Sequence, residues 1–151
     1  MQDVRISGHA PNVKKMKMTA IFPARLDALE AVCALLERFC EAGGVVHDDR
    51  LRLNLVLEEL FTNTVRHGHG EDSDAPVWVG LEAAPGQVAL EIEDTAPPYN
   101  PFARSVDVDL PLEERRIGGL GVHLARELSL NVSYAYVFGR NCVRLQIPRS
   151  S

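Results

Sequence analysis

A chain of 151 residues, 46% hydrophobic and 25% charged, is long enough for one well-filled core and too short for two. Its formal net charge of −5 argues against a protein built to grip nucleic acid by its phosphates, and leaves small molecules and other proteins as the expected partners. Three cysteines without a CxxC pair point to neither a disulfide framework nor a zinc site, and no apolar run suits a signal peptide or a bilayer span; the expected address is the cytoplasm, away from membrane.

Residues 1–15 are polar, carry Gly8 and Pro11, show no sustained period, and read as an arm or edge addition ahead of a domain over 16–151. Residues 17–22 alternate as a strand that Pro23 ends. Over 25–42 the apolar positions Leu29, Val32, Cys33, Leu36, Phe39 and Cys40 recur at three and four, which predicts a core-facing helix stopped by Gly43 and Gly44. His47, Asp48 and Asp49 are capping candidates for a second helix, which Gly68 and Gly70 stop. In that helix Leu53, Val56, Leu57, Leu60, Phe61, Thr64 and Val65 share one broad arc. Asn63 and His67 fall at or inside one edge of the arc, and Glu59 lies just beside it. A half-buried carboxylate or amide without partners costs several kcal/mol, so this edge is expected to line a polar cavity. The alternative is the ordinary polar margin of an amphipathic helix.

Residues 77–81 and 88–94 form two strand-like runs joined as a hairpin through Ala84, Pro85, Gly86 and Gln87. From 95 to 117 no period holds; Pro97, Pro98, Pro101 and Pro111 stiffen the segment, and Glu113, Glu114, Arg115 and Arg116 close it with charge. A connection of that length is usually a functional lid or a disordered insert. Gly118, Gly119 and Gly121 then open a helix reaching about Leu128, and 132–138 and 142–147 are the last strands, turned by Gly139, Arg140 and Asn141. The order predicts an α+β fold: a two-layer α/β sandwich whose mixed, mostly antiparallel sheet carries its helices on one face.

Two further stretches carry candidate chemistry. Glycines directly ahead of a helix expose backbone N–H groups to a bulky anion, which Gly118, Gly119 and Gly121 fit; a hinge or tight turn is the competing reading. The pattern is neither a Walker loop nor a dinucleotide fingerprint. Asp94 ends a strand beside a proline-rich turn, where its carboxylate can accept from an amino group or close an Asx turn. His67 and His69 lack the companions of a metal site, and His67 suits the end of the helix, where a cation is favoured.

Taken together, EELFTNTVRHG (58–68), DTAPPYNP (94–101) and GGLGVHLARELSLNVSYAYVFGRNCVRLQIP (118–148) resemble the asparagine box, first glycine box, and second glycine box with closing strands of the gyrase, Hsp90, histidine kinase and MutL superfamily. The form of the boxes is similar to that of the small anti-sigma factors that are serine/threonine kinases. The resemblance implies the Bergerat ATP-binding fold, with ATP and Mg2+ as cofactors. Asn63 would hold the magnesium ion, Glu59 would be the general base, and Asp94 would accept from the adenine amino group. Gly118, Gly119 and Gly121 would cradle the phosphates under a lid over 97–117, with Asn100, Arg115 and Arg116 as further phosphate-side candidates. Two positions depart from the family pattern: Ala96 stands where a glycine is usual, beside the adenine, and Asn141 stands where many members place an adenine-binding threonine.

The function so implied is transcription regulation by partner switching, with a sigma factor and an anti-sigma-factor antagonist as partners and a homodimer as the assembly. The competing expectations are a non-catalytic, nucleotide-dependent interaction module and a detached histidine kinase catalytic domain.

Overall fold

Side chains alternate across a β-strand, so in a sheet with helices on one side each strand spends every second residue on the core. The computed structural model describes residues 5–7, 15–103 and 119–150. Its strands are β1 (Arg5–Ser7), β2 (Lys15–Pro23), β3 (Pro76–Ala84), β4 (Gln87–Asp94), β5 (Asn131–Val137) and β6 (Arg140–Pro148). Its α-helices are α1 (Leu29–Gly43), α2 (His47–Asn63) and α3 (Gly119–Leu128). The strands form one six-stranded sheet in the order β1-β2-β3-β4-β6-β5, and every neighbouring pair is antiparallel, where a mixed sheet was expected. The α+β, two-layer architecture is the expected one, and β1 adds an edge strand within the N-terminal arm.

Register aligns the inward residues into rows that cross the sheet. One row is Met18, Leu81, Leu90, Leu145 and Val132; the next is Ala20, Val79, Ile92, Val143 and Tyr134. Against these rows α1 packs Val32, Leu35, Leu36 and Phe39, α2 packs Leu53, Val56, Leu57, Leu60 and Phe61, and α3 packs Val122 and Ala125. The last inward row is Phe22, Val77, Asp94, Asn141 and Tyr136, where the core turns from apolar to polar. On the opposite face of the sheet Arg140 stacks on the Trp78 ring at 3.7 Å, and Glu91 pairs with Arg144. Among the described residues no helix is long and apolar enough to cross a membrane.

Three local expectations are corrected. Helix α2 is preceded by Val46 in extended backbone with no side-chain cap; Asp49 instead turns inward, accepting from Arg52 Nη1 at 3.0 Å and from the Ser150 N–H at 2.7 Å. Its carboxylate therefore ties the C-terminal tail to the start of α2. Helix α1 begins at Leu29 after a 3-10 turn over Leu26–Ala28, and ends with Gly44 at φ 64°, a left-handed conformation that glycine adopts without penalty. The final hairpin turns at Phe138 and Gly139, with φ 51° and 76°, one residue earlier than expected. Two-residue loops with both residues at positive φ match the twist of paired strands. The shift makes Arg140 and Asn141 strand residues and places Asn141 opposite Asp94.

Burial pushes the Cys33, Cys40 and Cys142 thiols from an ordinary value near 9.0 up to about 11, helped at Cys33 by Glu58 and at Cys142 by Glu93. Folding thus holds these protons through the window where the unfolded chain releases them, so this contribution is complete below pH 9.0 and lost as pH rises through about 11. Since the thiolate is the reactive form, the native thiols are expected to alkylate at least about tenfold more slowly than those of the guanidinium-unfolded chain at pH 8.5. Equal rates measured with iodoacetamide would contradict this. Leu90→Ala, at the centre of an inward row, is expected to cost about 2–5 kcal/mol in denaturant unfolding.

Candidate functional site

The inward row that ends the core sets the site. Asp94 and Asn141 face each other across β4 and β6, buried to 6% and 2% exposure where apolar side chains would otherwise continue the core. Such groups must be satisfied from within. Asp94 Oδ1 accepts from the Ala96 N–H at 2.9 Å and from Asn141 Nδ2 at 3.0 Å. Asn141 Nδ2 also reaches Ala96 O at 3.0 Å and Pro97 O at 3.1 Å, while Asn141 Oδ1 accepts from the Tyr99 N–H at 2.9 Å and the Tyr134 hydroxyl at 2.5 Å. Acceptors surround Nδ2 and a backbone donor points at Oδ1, so the amide has one orientation. Burial holds the Tyr134 phenol above its ordinary pKa, which keeps it a neutral donor.

Helix α2 brings the second polar group. After Asn63 the helix widens over Thr64–Gly68 into a π turn, closed by the His69 N–H on Thr64 O at 3.2 Å. Single π turns of this kind are frequent at functional sites. Asn63 is only 6% exposed, lines the recess, and its amide makes no hydrogen bond among the described residues. Leu60, Thr64, Gly68, Ile92, Tyr99, Pro101 and Val143 line the same recess with Asp94 and Asn141. The recess is shallow: between its walls there is room for about one water, and its mouth opens to solvent. At its rim the His67 and Tyr99 rings stack at 6.2 Å with an interplanar angle of 18°.

The residues singled out in the sequence are distributed as follows. Asn63, Asp94 and Asn141 meet in the recess. Glu59 is half-buried one helical turn before Asn63 and does not line it. Ala96 is buried at the Asp94 turn, and its methyl group lies 3.4 Å from where a Gly68 side chain would begin, an ordinary contact distance. Asn100 Oδ1 accepts from the Phe102 N–H at 2.9 Å, closing the short turn over Pro101–Ala103. Gly119 and Gly121 lie in the first turn of α3, while Gly118, Arg115, Arg116 and most of the expected lid lie outside the described residues. His67 falls in the π turn, as its position at the helix end implied. Sequence reasoning missed Thr64 as a lining residue, and it missed Tyr99 and Tyr134; the alternation Val132, Tyr134, Tyr136 in β5 was the available signal for the last.

The lining sets one hydrogen-bond acceptor beside an apolar wall. Asp94 Oδ2 takes no hydrogen bond among the described residues and is left as an acceptor beside the apolar walls Leu60, Ile92 and Val143. No cluster of three or more His, Cys, Asp or Glu that could hold a metal occurs among the described residues. Asn63, buried and without a hydrogen bond among the described residues, is left with an amide oxygen to offer.

Comparison with known proteins bears on the family and the fold. The model of the histidine kinase-like ATPase domain matches residues 22–147. Among solved structures, the RsbU and RsbW domains of Rv1364c from Mycobacterium tuberculosis superpose with a TM-score of 0.64 at 19% identity, over 89% of this chain and 33% of that one. The chain thus spans about a third of that protein's length. The catalytic domain of the histidine kinase ThkA superposes with a TM-score of 0.50 at 16% identity, over 87% of this chain and 97% of that one. At these identities the likeness is one of fold. No curated protein matches the chain. Because the family model covers most of its length, the chain belongs to the histidine kinase-like ATPase domain family.

Proposed function

We propose that residues 16–151 bind ATP with Mg2+ and act as an ATP-dependent serine/threonine protein kinase in transcriptional partner switching. The proposed partners are a sigma factor, which the protein sequesters, and an anti-sigma-factor antagonist, which it phosphorylates. A homodimer is the proposed assembly. The observation that carries the nucleotide part is the meeting of Asn63 and Asp94 in one recess, both buried and both with hydrogen-bonding capacity left over. The kinase and partner assignments rest on the three sequence boxes, and the RsbW domain of the Mycobacterium tuberculosis protein supports looking there first.

ATP with magnesium supplies an activated phosphoryl group whose charge is partly neutralised. The chain's own residues then have separable tasks. Asp94 Oδ2 accepts from the base amino group, and Leu60, Ile92 and Val143 hold the base away from water. Asn63 offers its amide oxygen to the cation. Gly119 and Gly121, in the first turn of α3, present backbone N–H groups at the positive end of the helix. Glu59 takes the proton of the attacking serine or threonine hydroxyl as its oxygen bonds to the γ-phosphorus; the bond to the β,γ-bridging oxygen breaks and ADP leaves with that electron pair.

One observation favours a second reading, a nucleotide-dependent interaction module without catalysis: Glu59 does not line the recess. Phosphoryl transfer decides between the two. With labelled ATP and the cognate antagonist, Glu59→Ala is expected to bind ATP as the native chain does and to transfer phosphate at least about 100-fold more slowly. Undiminished transfer by the variant would remove Glu59 from the mechanism, and ATP bound but unconsumed by the native chain would favour the second reading. In calorimetric titrations, Asn63→Ala is expected to lose the gain in ATP affinity that magnesium gives the native chain, about tenfold or more. An undiminished magnesium effect would place the cation elsewhere.

A further inference from the structure

Asn141 occupies the place where a ligand-binding side chain was expected, yet its polar atoms are already engaged. Its two N–H bonds are shared among Asp94 Oδ1, Ala96 O and Pro97 O, and its oxygen takes the Tyr99 N–H and the Tyr134 hydroxyl. At 2% exposure it has no room for a further partner. The bonds also run in one direction. Tyr134 donates to Asn141, Asn141 donates to Asp94, and the Ala96 N–H donates to the same oxygen, Oδ1. A chain polarised in this way leaves Asp94 presenting only an acceptor, at Oδ2.

We propose that Asn141 and Tyr134 are positioning residues for base recognition: they give the base no hydrogen bond, and they fix the Asp94 carboxylate so that a single acceptor atom faces the recess and selects a base with an amino donor. The proposal rests on the nucleotide reading above. It gives the asparagine at this position a role distinct from direct contact with the base. Tyr134 acts at one remove, by locking the orientation of the Asn141 amide from β5, the neighbouring strand. Without the Asn141 amide, Asp94 keeps only the Ala96 N–H at Oδ1, and the carboxylate is free to rotate or to take up water.

Two probes isolate this effect: ATP, and purine riboside triphosphate, which is the same molecule without the 6-amino group. The ratio of their dissociation constants reads the one hydrogen bond to Asp94, whereas a merely structural role for Asn141 changes both affinities together. Native protein, Tyr134→Phe and Asn141→Ala are titrated with each probe, and folding is checked by circular dichroism. The native chain is expected to prefer ATP about tenfold or more, Tyr134→Phe to lose about threefold of that preference, and Asn141→Ala to lose nearly all of it. Affinity for the probe without the amino group is expected to change by less than about threefold. If Asn141→Ala does not fold, the Tyr134→Phe ratio decides alone. A native preference retained by the folded variants overturns the positioning role and leaves the nucleotide site standing. Equal native affinity for the two probes overturns the contact that positioning serves. A native chain that binds neither probe overturns the nucleotide reading and this inference with it.

Discussion

The cross-strand pair of Asp94 and Asn141 is the interaction on which the rest of the site depends. It stands in the last inward row of the sheet, one inward row beyond Ile92 and Val143, where a pair of aliphatic side chains would continue the core. Replacing both members of a buried polar pair by apolar groups of similar shape is often neutral or stabilising. Stability alone therefore does not account for a carboxylate and an amide here. What the pair does is anchor: it binds the backbone at Ala96, Pro97 and Tyr99, and so hangs the segment after β4 onto β6.

From that anchor the recess follows. The segment folded back over the strand ends supplies Tyr99 and Pro101 to one side, and the π turn after Asn63 supplies Thr64 and Gly68 to the other. The two sides meet where the Ala96 methyl group faces the bare backbone of Gly68 and where the His67 and Tyr99 rings stack. The walls are apolar and the polar atoms are few, which gives a site its orientation without filling it with competing partners.

Much of this was legible in the chain. Helix periodicity placed α1 and α2, alternation placed β2 and β4, strand-like runs placed β3 and β6, and the polar edge of α2 singled out Asn63 before any contact was known. Asp94 was legible because a carboxylate closes an otherwise alternating apolar run. What was not legible depends on register. A turn at Phe138 and Gly139, one residue earlier than expected, turns Asn141 from a loop residue into the partner of Asp94, and the bulky Phe138 at positive φ conceals that turn from composition. Once register is known, Tyr134 and Tyr99 fall into the network without further assumption. The inward turn of Asp49 toward Ser150 was equally hidden, since its partner lies at the far end of the chain.

The most direct test of the account is where an adenine nucleotide perturbs the protein. Backbone amide shifts recorded by nuclear magnetic resonance, as ATP with magnesium is added, are predicted to change most at Ala96 and Tyr99, whose N–H groups bond Asp94 and Asn141, and at Asn63 and Thr64. Trp78 and Glu93, on β3 and β4 with Trp78 stacked on the far face of the sheet, are predicted to shift little. Shifts concentrated on that far face, or absent from Ala96 and Tyr99 at saturating nucleotide, would contradict the assignment of this recess as the nucleotide site.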